Sequence, residues 1–401
     1  MRVGIDDTDS KDGMCTTYLA ALLQKKLGGS QDPALVRLNP NIPYKTRGNA
    51  ALALTLDGDP KAAVLAEVRR LAHVHSPNTQ PGVAFLAETS KSSQRILTEF
   101  YRRTVSEHVT IDDAQEVANK AGIEVIGLNG GRGIVGAVAA LGFTKDEPHT
   151  WELLAYRSPE NCGKKRRIDE ESVIRMDSLA LDTFGNVDPE SGRVLIAPHG
   201  PDPVLYGVRG LSREAVEEAD NMVSAFEPVE FKQVFFTNQG TDAHLRMKKL
   251  SEVLPYDNVC AEVVVSSSAR VLSGGHVVLG VSDGSGSLDV AAYRQSGRLR
   301  DVLKGLGSGD RVVICGGVGK YVKTINLEKI GVLSLEEKMV RRAPVCCGKS
   351  MTSAGSGKGF KCKKCGKKAG DKQVSVRRDV LPGWYEADVG ARRHLSKPLI
   401  R

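Results

Sequence analysis

Three carboxylates, Asp6, Asp7 and Asp9, stand within four residues in the opening stretch MRVGIDDTDSKDGMCTTYLA, with Thr8 among them and Thr16 and Thr17 a little further on. Acids this close repel one another unless a cation sits among them. Hard divalent ions such as magnesium take oxygen ligands, usually one or two carboxylates together with nucleotide phosphates. Residues 2–5 read as a buried strand and 18–27 as an apolar helix. Thr16 and Thr17 fall at the helix start, where free N–H groups and the helix dipole favour phosphate. The set is a candidate metal–nucleotide site with a hydroxyl nearby. An acidic loop of N-capping residues is the equal alternative from spacing alone.

A second chemical stretch is IEVIGLNGGRGIVGAVAALG, residues 123–142. A short strand runs into Asn129, Gly130, Gly131, Arg132 and Gly133, and a small-residue helix follows at 134–141. Glycines let backbone approach an anion, and Arg132 can add charge-assisted hydrogen bonds to phosphate. The pattern is neither a Walker loop nor a dinucleotide fingerprint, and a tight structural turn explains such a loop equally well. Its weight comes from the acidic turn, because a nucleotide site needs both a metal holder and an anion cradle. Lys45 and Arg47, in the loop NPNIPYKTRGNA, could also reach phosphate or lie exposed. The irregular stretch APHGPDPVLYGVRG offers His199 and Asp202 to a small cationic substrate, or else a capped turn and a surface histidine.

Four of the eight cysteines are clustered: Cys346-Cys347 and, fourteen residues later, Cys362 and Cys365. Two thiolate pairs on facing knuckles suit tetrahedral zinc, as in zinc ribbons. The second pair has ribbon spacing. The first is adjacent where a knuckle is normally CxxCG. Either Cys346 binds in altered geometry or another group completes the site.

The elements that must position these groups alternate. Strands are expected at 35–38, 51–56, 83–86, 151–156, 204–208 and 230–236, and helices at 60–72, 92–104, 112–121 and 212–223. CGKKRRID reads as a solvated basic loop, and MDSLALDTFGNVDPESG as a long acidic connection. From about 258 to 335 five strands with a helix between the third and fourth follow the order of an OB barrel, a common nucleic-acid platform. At 401 residues the chain holds two to four domains, multidomain α/β and α+β. No apolar run reaches membrane-spanning length and no signal peptide opens the chain, so a cytoplasmic protein is expected. Net charge is +8, but residues 338–401 hold 17 Lys/Arg against 4 Asp/Glu, a balance of +13 that leaves −5 on the rest. A basic appendage on an acidic body suggests nucleic acid.

The stretches GIDDTDSKDGMCTTYL, NPNIPYKTRGNAAL, NGGRGIVGA, MDSLALDTFGNVD and HGPDPVLYGVRG, with the barrel-like segment and the ribbon, run nearly end to end in one order. In these the chain resembles the archaeal tRNA-isoleucine 2-agmatinylcytidine synthetase (agmatidine synthetase, TiaS) family. The resemblance implies an ATP-dependent ligase that joins agmatine to C2 of the wobble cytidine of an isoleucine tRNA with a CAU anticodon, so that it reads AUA codons. It implies a kinase-like ATP-binding domain, set at 1–58 and 121–192, and a ferredoxin-like domain, set at 59–120 and 193–256. An OB-fold barrel at 257–336 and a zinc ribbon with basic tail at 337–401 complete it. Site roles follow: Asp6, Asp7 and Asp9 for magnesium and catalysis, and Thr16 as the autophosphorylated threonine. ATP falls to Thr8, Lys45, Arg47, Asn129, Gly130, Gly131, Arg132 and Gly133, agmatine to His199, Asp202 and Tyr206, and zinc to the four clustered cysteines. ATP, Mg2+ and Zn2+ are the expected cofactors, and neither a membrane nor a protein partner is implied. An RNA-binding adaptor without catalysis, and a nucleotide kinase that does not act on RNA, are the competing classes.

Overall fold

A computed structural model describes residues 1–46, 48–337, 339–370, 372–375 and 378–400. Arg47 lies outside the described residues. The first strand, β1 (Arg2–Asp6), is flanked by β3 (Ala50–Thr55) and β4 (Gly82–Leu86), with β2 (Ala34–Arg37) beyond β3 and β5 (Glu124–Gly127) beyond β4. All four pairings are antiparallel. The sheet continues through β8 (Val229–Thr237), β6 (Thr150–Arg157) and β7 (Val204–Gly210), giving eight strands in the order β5-β4-β1-β3-β2-β8-β6-β7. Its two halves meet at the parallel pairing of β2 with β8, which spans two residues, Ala34 with Phe236 and Leu35 with Thr237.

Strand alternation sends Val3 and Ile5 into a core with α1 (Thr16–Leu27) and α2 (Lys61–Leu71). It sends Gly4 and Asp6 to the other face, under α5 (Ile134–Gly142), which packs with α3 (Lys91–Ser106) and α4 (Ile111–Ala121). The helix α5 reads IVGAVAALG, and its small residues let its backbone lie almost on β1. A Cβ on Gly4 would stand 1.9 Å from the carbonyl oxygen of Ala137, and one on Gly136 would stand 2.0 Å from Asp6 Oδ2. Arg2, at the other end of β1, donates to the Leu141 carbonyl at the C-terminal end of α5.

The second half of the sheet carries α6 (Glu170–Leu179) and α7 (Arg213–Asp220) over a core that includes Leu153, Leu205, Tyr206 and Val208. One sequence expectation changes here and another is refined. The acidic connection begins inside α6, whose N-cap Asp169 accepts from the N–H groups of Glu171 and Ser172. The basic stretch 162–169 does leave Lys164, Lys165 and Arg167 exposed, but its half-buried Arg166 is anchored. Arg166 donates to the carbonyls of Gly200, Asp202 and Val204, and Arg157 donates to Lys164 O and pairs with Glu227 with both side chains buried. Polar groups of the irregular 197–203 path need partners once buried, and the arginine supplies them.

After β9 (Arg246–Met247) come the strands of a closed barrel: β10 (Asn258–Val265), β12 (Val277–Ser282), β13 (Ser287–Ala292), β14 (Arg311–Val318) and β15 (Thr324–Ser334). The short β11 (Arg270–Val271) flanks β12, and α8 (Arg298–Gly305) lies between the third and fourth barrel strands, as expected. Closure comes from β10 pairing with both β12 and β14. Cys260 and Cys315 face each other across β10 and β14 as a disulfide, a partnership their dispersed positions did not suggest. A ribbon of short strands follows: β16 (Met339–Arg342), β17 (Val345–Cys346), β18 (Lys349–Ser350), β19 (Thr352–Ser353), β20 (Phe360–Lys361), β21 (Lys368–Ala369) and β22 (Lys372–Ser375).

The chain beyond the ribbon is not a free tail. β23 (Gly383–Glu386) adds to barrel strand β15, and residues 389–398 run back to the main sheet. There Gly240 donates to the His394 carbonyl, and Thr241 and Asp242 donate to Leu395 O. Glu328 accepts from Ser396 and lies 3.0 Å from His244 Nε2 and 3.1 Å from Arg393 Nε. Burial would raise the Glu328 carboxyl, but His244, Arg393 and the Ser396 hydroxyl bring it down to about 2. Among the described residues no helix is long and apolar enough to cross a membrane.

The close seat of α5 on β1 is the tightest constraint in this architecture. Gly4→Ala is expected to destabilise the protein by about 3 kcal/mol, because backbone rather than a flexible side chain occupies the space. Thermal melting followed by circular dichroism checks this, and an unchanged midpoint would show that the seat can open.

Candidate active site

The acidic turn forms where β1 ends beneath the N-terminus of α5. Asp6 is buried, and the N–H of Asp7 donates to its Oδ1 at 2.7 Å. The start of α5 is the positive end of the helix dipole and favours a carboxylate there. Asp7 has a φ of 56°, a left-handed conformation that Asp tolerates better than most residues. The turn aims its side chain at Arg132, 2.7 Å away, and at the N–H of Gln80. Arg132 also donates to Asn78 O and lies over the Tyr44 ring, 5.0 Å from its centroid. Burial, then the neighbouring Asp7 charge, holds the Asp6 carboxyl well above the usual carboxylate range. Burial also raises Asp7, with Arg132 opposing.

Thr16 is the first residue of α1, and its Oγ1 accepts from the Thr8 hydroxyl at 3.1 Å. Cys15, the residue before the helix, makes no side-chain cap. The Thr16 hydroxyl therefore stands at an uncapped helix start beside the acids.

These groups open into a cavity of about 980 Å³ lying where the two halves of the sheet meet. Asp6, Asp7, Asp9, Thr16, Arg132 and Gly133 line one side, and His199 and Asp202 also reach it. A different cluster lines the rest: Arg37 at the end of β2, Glu152 on β6, Arg209 on β7, and Arg393 and His394 from the returning C-terminal segment. Glu152 Oε2 lies 3.8 Å from Arg37 and its Oε1 3.7 Å from Arg209. His394 is open to the cavity. The charge of Arg37, with burial and then Arg209, keeps its imidazole well below 6.5.

Several expected site residues are placed otherwise. Thr8 is fully buried and holds Thr16 rather than facing the cavity. Asn129 ties the loop to Val74 O at 2.6 Å. Gly130 and Gly131 lie off the cavity, and the N–H groups of Gly131 and Gly133 are spent on Leu128 O and Gln80 O. The glycine loop is thus a closed turn that seats α5, and Arg132 is the group it delivers. Tyr206 points into the α6–α7 core, where its hydroxyl donates to Asp220 at 2.8 Å; it is no wall of the cavity. Asp202 reaches the cavity but already accepts from Arg166 at 3.1 Å and from the Val204 N–H. Lys45 lines the cavity and donates to Pro40 O, its ammonium disfavoured by burial and by Arg393. Glu152 and Arg209 were missed, although a charge within the apolar strands TWELLAYR and VLYGVRG was a readable signal. Arg37, within the expected apolar strand 35–38, carried the same signal, whereas Arg393 and His394 gave none.

Family models match three parts of the chain: the TiaS TCKD domain at residues 2–69, the TiaS FLD domain at 131–244 and the TiaS C-terminal zinc ribbon domain at 343–380. The isoleucine-tRNA 2-agmatinylcytidine synthetase TiaS of Pyrococcus horikoshii is 43% identical over 417 residues, covering 100% of this chain and 97% of that one. The chain belongs to the TiaS family. A crystal structure of TiaS in complex with its isoleucine tRNA and ATP is 40% identical with a TM-score of 0.90, covering 100% of this chain and 97% of that one. A TiaS complex with the same tRNA, AMPCPP and agmatine is 37% identical with a TM-score of 0.87, covering 100% and 96%.

The TiaS ribbon answers the question its adjacent cysteines raised. The sulfur atoms of Cys346, Cys347, Cys362 and Cys365 all lie within 4.8 Å of one another. Tetrahedral zinc with bonds of about 2.3 Å needs sulfurs roughly 3.8 Å apart. Cys346 lies 3.5 Å from Cys365 and 3.9 Å from Cys347. Cys347 at φ 49° and Gly348 at φ 77° turn the backbone left-handed, which swings both neighbouring thiols to one point. The donor set fits zinc, and one zinc per chain is expected by elemental analysis. Cys347→Ser should release it at lower chelator concentrations than wild type requires.

Asp6 supplies a sharper test. A carboxyl raised in the folded state stabilises the metal-free protein at low pH and loses that contribution as pH rises through its folded value. Asp6→Asn is therefore expected to raise the melting temperature of metal-free protein at neutral and higher pH, while abolishing ATP turnover. Lower stability together with retained turnover would remove Asp6 from the site.

Proposed function

We propose that this chain is an ATP-dependent ligase that conjugates agmatine to C2 of the wobble cytidine of an isoleucine tRNA with a CAU anticodon. The observation that carries the reading is full-length membership of the TiaS family, with the acidic turn, Thr16 and Arg132 assembled on one cavity. The leaving group explains why ATP is needed. The C2 carbonyl oxygen is a poor leaving group until a phosphoryl group from ATP is placed on it. The agmatine amine then forms the new C–N bond, the C–O bond breaks, and phosphate departs with the oxygen while the amine loses a proton.

The finer assignments are supported by local chemistry. Asp6, Asp7 and Asp9 offer hard oxygen donors whose mutual repulsion a divalent cation relieves, and Mg2+ bound there would offset phosphate charge. Arg132 is the cation beside them, able to exchange Asp7 for phosphate. Thr16, at the uncapped start of α1, is the hydroxyl that accepts a phosphoryl group. Agmatine falls to the side of the cavity that bears Asp202 and His199, where Arg166 competes for the carboxylate. Division of the main sheet at the two-residue β2–β8 join supports a first unit carrying the acids and a second carrying Asp202. The pairing of β4 with β1 and the seat of α5 on it support assigning residues 59–142 to that first unit. The closed barrel suits an OB-type tRNA platform beside the ribbon, and the compartment is the cytoplasm.

The test is mass analysis of the wobble nucleoside after incubation of that tRNA with ATP and agmatine. The expected product is cytidine with its C2 oxygen replaced by agmatine, formed only when all three reactants are present. ATP turnover indifferent to tRNA would favour a kinase, and tRNA binding without turnover an adaptor.

A further inference from the structure

The cavity has a cationic lobe that the nucleotide site does not account for. Arg37 and Arg209 reach it from strands in the two halves of the sheet, with side chains 14% and 20% exposed. They share one carboxylate, Glu152, at loose distances of 3.8 and 3.7 Å, and that carboxylate also accepts from Gln239. Among the described residues the buried Nε of each guanidinium has no hydrogen-bond partner. Arg393 comes in from the returning C-terminal segment, paired with Glu328 behind it, and its charge disfavours the ammonium of Lys45 across the cavity. His394 is kept neutral by Arg37 and Arg209. Buried charges that are neither matched nor fully hydrogen-bonded are costly unless a ligand completes them.

We propose that Arg37, Arg209 and Arg393 form a phosphodiester site that grips the tRNA backbone where the strand enters the cavity. This rests on tRNA being the substrate. RNA is favoured over the ATP phosphates for two reasons. A nucleotide triphosphate travels with a divalent ion, and the carboxylate at the centre of this lobe is already shared by two arginines. The lobe is also continuous, through residues 389–398, with the barrel strand β23 and the strongly basic C-terminal part of the chain. Guanidinium groups suit the task because their planar forks match phosphate oxygens. The target base must leave its stack to reach the cavity, and a clamp on the adjacent backbone holds it there.

The experiment compares wild type with Arg209→Gln, Arg209→Lys and Arg393→Gln. It measures affinity for a transcript of the isoleucine tRNA over a range of KCl without ATP, and separately affinity for ATP without tRNA. Each glutamine variant is expected to bind tRNA about tenfold more weakly. Its slope of log affinity against log salt should fall by about 0.7, the loss of one phosphate contact. Arg209→Lys should restore the slope, which a merely structural arginine would not show, and ATP affinity should stay within about twofold of wild type. An unchanged salt slope in both glutamine variants overturns the proposal, and so does a loss of ATP affinity with tRNA binding intact. Wild-type conversion of the wobble cytidine is assayed alongside. If that conversion fails, the functional reading is lost, whereas the binding slopes still report on the lobe.

Discussion

The seat of α5 on β1 sets the rest of the active side of this protein. Because Gly4 and Gly136 lack side chains, helix backbone lies against strand backbone, and the N-terminus of α5 comes down on Asp6. A carboxylate in that position is favoured by the helix dipole and opposed by burial and by its acidic neighbours. The balance holds this carboxyl well above the usual carboxylate range. The glycine run 130–133 serves this same contact. Its Gly131 and Gly133 N–H groups close the turn on the carbonyls of Leu128 and Gln80, and it swings Arg132 over Asp7.

The cavity then takes its character from how two half-sheets meet. A two-residue parallel pairing joins them, so the walls near the join come from strand ends and connections rather than from continuous sheet. One wall is acidic and carries the hydroxyl of Thr16. The other gathers arginines from three distant segments, two of them sharing Glu152 and the third backed by Glu328. Anionic substrates and a cationic one can thus be held in one space without facing the same charges, which suits a reaction joining a cationic amine to a nucleic acid.

The returning C-terminal segment ties this cavity to the barrel. Asp242, held by Lys329, accepts from the Lys397 N–H, and Glu328 gathers His244, Ser396 and Arg393 in a buried polar knot. Removing partners from such a knot strands buried charge, so the segment is held firmly. The ribbon, by contrast, is inserted between β15 and β23 and has only a small core, including Met351, Phe360 and Cys362. Its four thiols form a donor set that fits zinc, the kind of site that adds binding energy to so small a fold.

What the sequence determined by itself was local. Strand and helix periods placed nearly every element of the main sheet and barrel close to its observed bounds, because alternation and amphipathicity act over neighbouring residues. The acid triplet, the glycine run and the clustered cysteines were also legible, since each lies within one short stretch. Tertiary structure decided everything that needed long-range contact. It turned Tyr206 into the core, gave Asp202 to Arg166, spent the glycine-loop N–H groups internally and brought adjacent Cys346 and Cys347 to one point. It also assembled Arg37, Glu152, Arg209 and Arg393 into one lobe. Each of these outcomes depends on which segments the sheet registers and the returning chain end bring together, and no local period encodes that.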